Sequence, residues 1–408
     1  MLLVGGSNLP RIQIQSSLTK IHVEAGKPFT QNGTVQVSTR GEAQVLPSAL
    51  VLVMDCSGSM EGRPMQLLNN AIDSVANRLR DRDTLSIVAF GSEAEVIVQE
   101  YSKDRLFKEG VPQLEDMGST NYKAAFEATL SMLQKSQTTR RLDGPSIHTV
   151  AKTVLFMSDG RPDYGRAYEK KALEFPRLGY SFHTMGMGDN VSEKSLLSMA
   201  EMAGGLYRHA KNESELQEQL NGVLSFSQDL VYSVPELEFD VFPGTSLSDI
   251  KLVVPARMLQ ENASVGHHSI KLPDLASDSI LELSFEVSVS NPGDIGQQQD
   301  LVEWQMSGAN PDTTRVWWVS KQDAITSQID PRPSTVTLIY EAFDHLKDGR
   351  TRQAKEVTKK LEKMGAAGNT LAMSGATALT HTIKSGKSVG KLFESVTTKT
   401  VKKDGSIG

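Results

Sequence analysis

Ala49-Leu50-Val51-Leu52-Val53-Met54 runs directly into Asp55-Cys56-Ser57-Gly58-Ser59. Six consecutive apolar residues leave no polar face. Such a strand suits a parallel sheet covered on both sides. A helix is expected over Pro64 to Arg80, with proline in its first turn and Leu67, Leu68, Ala71, Ile72, Val75 and Leu79 on one face. Further apolar runs are TLSIVAF (84–90), TVLFMSD (153–159) and SFHTMGMG (181–188). Helical patterns lie near 121–136, 166–178, 192–203 and 213–227. Strands alternating with helices predict right-handed crossovers and a doubly wound parallel α/β sheet.

Outward from this block the periodicity changes. On the N-terminal side, Arg11–Gln15, Lys20–Val23 and Thr34–Ser38 alternate polar with apolar, as strands with one wet face do. After Asp229 the alternation returns in LEFDVF (237–242), IKLVV (250–254), HSIKL (268–272), ILELSFEVSV (280–289), LVEWQM (301–306) and TRVWWV (314–319). Three early strands make a poor core alone, so they are expected to join the later six in one antiparallel β-sandwich. The α/β block would be inserted between its strands. The chain therefore divides into N-terminal sandwich strands (1–47), the α/β domain (48–228), the rest of the sandwich (229–322) and a C-terminal helical region (323–408). In that last region Ser334 reads as an N-cap, with Leu338, Ala342 and Leu346 as a stripe. Further helices are expected over Thr351–Met364 and Thr370–Lys384, before a Lys-, Thr- and Gly-rich end.

The 408 residues are 38% hydrophobic and 23% charged, a globular profile. The net charge of -6 is uneven. From Pro333 to Gly408 there are 13 Lys/Arg against 7 Asp/Glu, which leaves 30 against 42 elsewhere. That basic region reads either as solvated helix faces or as a surface for an acidic partner. The one cysteine excludes an intrachain disulfide and leans towards a reducing, cytoplasmic setting. No signal peptide and no membrane span are read from the sequence.

The chemistry lies at strand ends. Asp55, Ser57 and Ser59 follow the buried strand at the carboxyl edge of the predicted sheet, where α/β folds place ligands. A carboxylate and two hydroxyls at alternate positions are hard oxygen donors suited to Mg²⁺. Alone, this string also fits an Asx turn capping the next helix. Two more oxygen-bearing segments join it: Thr120, within Gly118-Ser119-Thr120-Asn121, opens a predicted helix, and Asp159, within Ser158-Asp159-Gly160, ends a predicted strand at the same sheet edge.

With these elements in this order, residues 48–228 resemble the von Willebrand factor A family and its metal-ion-dependent adhesion site. Gly160-Arg161-Pro162-Asp163 and Gly186-Met187-Gly188-Asp189 also look like this family. The layout is similar to bacterial relatives of the inter-alpha-trypsin inhibitor heavy chains, and an α/β insertion in a sandwich resembles the integrin hybrid domain. The resemblance implies that Ser57 and Ser59 ligate the metal directly and Thr120 does so when a ligand is bound. Asp55 and Asp159 would act mainly through waters. The ion would be Mg²⁺, with Mn²⁺ or Ca²⁺ as substitutes. A partner protein would supply the last ligand from an Asp or Glu, and ligand exchange would move the helix near 213–227. The implied role is a non-enzymatic scaffold or adaptor, with partners such as a MoxR-type AAA+ ATPase or a signalling enzyme, and no nucleic acid. An exported adhesion protein is the alternative, and a metal-assisted hydrolase a more distant one.

Other features read as structural. Cys56 fills the loop floor, and Met185, Met187, Met199 and Met202 fill a core. Adjacent His267 and His268 face opposite sides of a strand, and one of Trp317 and Trp318 should be buried. Gly186-Met187-Gly188 is too short for a dinucleotide fingerprint, and no full P-loop is present. No histidine neighbours Ser57 or Ser59, so a nucleophilic triad has no support.

Overall fold

Strands β1 (Arg11–Leu18), β2 (His22–Glu24) and β3 (Phe29–Arg40) open the chain. The computed structural model describes residues 11–40, 46–136, 150–159, 170–188, 191, 193–253 and 257–385. Its chain falls into two units. One is Gln44–Val234 with Pro273–Ser277. The other gathers Met1–Ala43, Pro235–Leu272 and Asp278–Gly408.

The first unit begins with β4 (Ser48–Asp55), buried at every position. Its side chains alternate between two cores. Leu50, Leu52 and Met54 enter one, and Val51 and Val53 the other. A continuous apolar run is what two covered faces require. Helix α1 (Arg63–Arg78) follows, with proline at its start and Leu68, Ile72 and Val75 buried. Then come β5 (Thr84–Phe90), β6 (Ala94–Ser102), α2 (Lys103–Glu109), α3 (Tyr122–Lys135) and β7 (Ala151–Ser158). A short α4 (Glu174–Arg177), β8 (Ser181–Met187), α5 (Glu193–Ala203), β9 (Tyr207–Ala210) and α6 (Glu213–Gln228) complete the alternation. The sheet order is β6-β5-β4-β7-β8-β9. All pairings are parallel except β5–β6. The wholly parallel expectation is thus corrected at one edge: β6 follows β5 after a tight turn, which permits only an antiparallel return. Phe156 anchors the α3-side core, its ring 4.9 Å from Tyr122, 5.2 Å from Phe90 and 5.4 Å from Phe126. Each such pair adds about 0.5–1.5 kcal/mol beyond area burial. A two-stranded pair of β10 (Leu230–Tyr232) and β15 (Leu275–Ala276) also belongs to this unit.

The second unit holds two five-stranded sheets. Its later strands are β11 (Glu236–Val241), β12 (Thr245–Leu252), β13 (Arg257–Ala263), β14 (Gly266–Lys271), β16 (Ile280–Val289), β17 (Gln298–Gln305) and β18 (Asp312–Val319). One sheet runs β1-β3-β16-β12-β13 and the other β14-β11-β17-β18-β2. The early strands do share sheets with the later ones. They split, however, and β2 pairs parallel with β18 through Trp317↔His22, so the second sheet is not purely antiparallel. Trp304 of one sheet lies 5.4 Å from Phe285 of the other. Trp318 is fully buried while Trp317 stays exposed.

Helices α7 (Lys321–Thr326), α8 (Arg332–Lys347), α9 (Thr351–Ala366) and α10 (Thr370–Ser385) end the described chain. Ser334 is not the N-cap of α8. Pro331 holds that position, because Pro333 fits the first turn and draws the start upstream. Short or mixed elements gave no clear pattern in the sequence: β6, α2, β9, β13 and α7. Gly160–Asp163, Asp189, Val254 and everything after Ser385 lie outside the described residues.

Candidate metal-binding site

The site is built where β4 and β7 end. After Asp55 the chain turns sharply, and the Cys56 N–H donates to Phe90 O at 2.7 Å. Cys56 is fully buried, and burial with the adjacent Asp55 charge pushes its thiol up to about 12. It stays a neutral floor to the loop at ordinary pH. A single 3-10 turn, Gly58–Met60, follows. Met60 is buried beneath it and holds it down.

Asp55 is fixed on both oxygens. Its Oδ1 accepts from the Ser57 N–H at 3.0 Å, and its Oδ2 accepts from Ser158 Oγ at 2.5 Å. Ser57 Oγ and Ser59 Oγ lie 3.1 Å apart, and Ser59 Oγ donates to Asp159 Oδ1 at 3.0 Å. The loop and the end of β7 are thereby joined across 100 residues of sequence.

The segment carrying Thr120 is tied in through the backbone. Gly58 N–H donates to Gly118 O at 2.6 Å, and Met117 N–H donates to Cys56 O at 2.7 Å. Thr120 follows two residues later and is buried. Asn121 starts α3 by accepting from the Ala124 N–H at 3.1 Å. Gly91 completes the scaffold. Its carbonyl accepts from Asn121 N–H at 3.0 Å, and a Cβ there would meet Met117 O at 2.3 Å. Only glycine permits that approach.

Asp55, Ser57, Ser59 and Asp159 thus form one hydrogen-bonded chain, and Thr120 is buried in the segment whose Met117 and Gly118 are tied to that loop. Burial raises the Asp55 carboxyl above its ordinary value, against the lowering by Ser158 and Ser57, and nearby Asp159 raises it further. Burial likewise raises Asp159, partly offset by Ser59. No basic side chain offsets the burial of either carboxyl. The donors are all oxygen: two carboxylates and three hydroxyls. Sequence reading gave no role to Ser158, Ser92 or Asp116. Ser158 braces Asp55, Ser92 Oγ accepts from the Ser119 N–H at 2.9 Å, and Asp116 Oδ1 accepts from the Gly118 N–H at 3.0 Å. Ser158 was detectable only as the neighbour of Asp159.

Comparison with known proteins supports this architecture. The von Willebrand factor type A domain model matches residues 49–223. The chain is 22% identical over 374 residues to the protein sll0103 of Synechocystis sp., covering 88% of this chain and 86% of that one. It is 29% identical over 188 residues to human inter-alpha-trypsin inhibitor heavy chain H4. That match covers 43% of this chain and 20% of the heavy chain's length. Among solved structures, the von Willebrand factor type A protein from Catenulispora acidiphila superposes with a TM-score of 0.67 at 17% identity, over 96% of this chain and 91% of that one. That last likeness is one of fold. By sequence match and fold together, residues 49–223 form a von Willebrand factor type A domain.

Proposed function

We propose that this chain is a non-enzymatic protein-binding module. Ser57, Ser59 and Thr120, with Asp55 and Asp159, would hold one divalent cation and present it to an Asp or Glu of a partner protein. The observation that carries the reading is the convergence of a buried carboxylate, Asp55, and a half-buried one, Asp159, on hydroxyls and a backbone amide with no basic side chain, at the carboxyl edge of the sheet. Hard oxygen donors favour Mg²⁺, with Mn²⁺ or Ca²⁺ as substitutes. Among the described residues no group of three or more His, Cys, Asp or Glu gathers. A cation held by so few charges would stay electrophilic towards an outside carboxylate. The described hydrogen-bond partners of Ser57 and Ser59 include no histidine, so no Ser–His pair forms there.

No helix of the described residues is long and apolar enough to cross a membrane. With a single, buried cysteine, we read the setting as cytoplasmic and the role as a scaffold or adaptor for a signalling enzyme or AAA+ ATPase. Pulldown from the native host with wild type and Asp55→Ala, with Mg²⁺ or with EDTA, tests this. Partners should be recovered only by wild type with Mg²⁺. Identical partner lists would refute metal-dependent recognition. Surface labelling of intact cells would support the adhesion alternative.

A further inference from the structure

Granting the cation site proposed above, we propose that its partner segment is cationic: one Asp or Glu flanked by Lys or Arg. The warrant is the charge of the rim. Glu61 closes the metal-loop turn, its N–H donating to Gly58 O at 3.2 Å. Asp116 Oδ1 is held by the Gly118 N–H and lies 3.9 Å from where a Gly58 Cβ would sit. Glu93 is placed by the Gly91 N–H, which donates to its carbonyl at 2.8 Å, beside Ser92 and the Gly118–Ser119 turn. Glu115 precedes Asp116 in the same segment. All four carboxylate residues are exposed.

The described cations near this edge include Arg63, at the start of α1, Lys123, in the first turn of α3, and Lys211, which follows β9 and precedes the acidic Glu213 and Glu215 of α6. Lys123 leans towards Glu127 at 3.9 Å. A divalent cation would balance Asp55 and Asp159 and leave Glu61, Glu93, Glu115 and Asp116 in excess among the described rim residues. A partner carboxylate can then reach the metal, but acidic neighbours on that partner would face like charge. Basic neighbours would face Glu61, Glu93, Glu115 and Asp116. Electrostatic complementarity of this kind sets specificity and encounter rate.

The test uses the full chain and three peptides of equal length. One has a central Glu flanked by lysines, one the same Glu flanked by alanines, and one a central Gln flanked by lysines. Binding is read by fluorescence anisotropy with saturating Mg²⁺, and occupancy of the site by Mn²⁺ electron paramagnetic resonance. The Lys-flanked Glu peptide should bind roughly tenfold tighter than the Ala-flanked one at low salt, and the gap should close as salt rises. Glu93→Lys with Glu115→Lys should abolish that preference while Mn²⁺ still binds. Equal or absent binding of the two Glu peptides with Mn²⁺ bound overturns the cationic partner but spares the cation site. Equal binding of the Lys-flanked Gln peptide also overturns it, since the carboxylate would then be idle. Failure of Mn²⁺ to bind overturns the site and the inference with it.

Discussion

The two ends of the α/β sheet both bury aspartates, and they treat them oppositely. At the amino end, Asp83 is completely buried and fully partnered. It accepts from the Ser48 N–H at 2.8 Å, the Arg80 N–H at 2.9 Å and Gln228 Nε2 at 2.8 Å, and pairs with the Arg80 guanidinium at 3.0 Å. Burial alone would raise its carboxyl, but Arg80 and these donors hold it below the ordinary value. Ser48, Ser227 and Thr153 join hydroxyls beside it. At the carboxyl end, Asp55 and Asp159 meet hydroxyls and one amide, and burial raises both. A permanent cation inside the chain makes a carboxylate structural. Two carboxylates that meet hydroxyls and an amide, with no basic side chain, form a place suited to a cation from solution.

That contrast can be broken by mutation. The largest expected effect is at the structural end. Asp83→Ala leaves the Ser48 and Arg80 amides without their acceptor and takes one acceptor from the Arg80 and Gln228 side chains, which keep backbone carbonyls, and should cost about 3 kcal/mol of stability in urea unfolding. Mn²⁺ affinity at the other end should be unchanged. A loss of cation binding without a loss of stability would reverse the assignment of the two ends.

A second aspartate at the amino end sharpens the rule, because it has no cation. Asp274 accepts from Ser181 and Ser233 hydroxyls and from the Val234 N–H at 2.7 Å. Val234 is a β-branched residue at φ 45°, a strained conformation that this bond helps hold. Burial pushes the Asp274 carboxyl up to about 6. The folded state thus keeps a proton that the unfolded chain releases near pH 4. The stabilisation is complete below pH 4 and is lost as pH rises to 6, by at most about 3 kcal/mol. His183 works in the other direction. Burial lowers it to about 3, so it removes stability as pH falls from 6.5. The difference between wild type and Asp274→Asn therefore isolates the aspartate. Urea unfolding from pH 4 to 7 should show wild type losing stability relative to the variant as pH rises. Parallel curves would mean that Asp274 titrates normally.

The smallest stability effect belongs to Asp55→Asn. The amide can still accept from Ser57 N–H and can donate to Ser158, so unfolding without metal should be neutral or slightly less easy. Cation affinity, by contrast, should fall roughly 10- to 100-fold in a Mn²⁺ titration. Marked destabilisation without metal would make Asp55 structural, like Asp83.

Sequence alone disclosed what is local and repetitive. The runs that became β4, β7 and β8 announced burial on both faces, and Asp55, Ser57 and Ser59 were fixed by spacing at a strand end. Asp159 was placed at the same sheet edge by its own strand end, but assigning it and Thr120 to one cation needed the family resemblance, since no local rule links residues 61 and 100 positions beyond Ser59. What stayed hidden depends on distant partners. The edge strand β6 is only half covered and mixes polar with apolar on both faces. β13 lacks alternation, and β2 chose its sheet through a parallel pairing with β18 almost 300 residues later. Ser158 and Ser92 act on loops other than their own, and nothing in their immediate sequence says so.

β3 pairs along its length with β16, so that Val37 meets Leu281 and Phe29 meets Val289. A ribosome releases β3 early and its neighbour only after the entire α/β unit has emerged. The α/β unit can therefore fold while β3, paired only with β1, still lacks that neighbour, with ladder groups and apolar side chains exposed during synthesis. Maturation of the second unit is paced by translation through more than 200 residues. Chaperone dependence should accordingly track the speed of that stretch more than the stability of either unit.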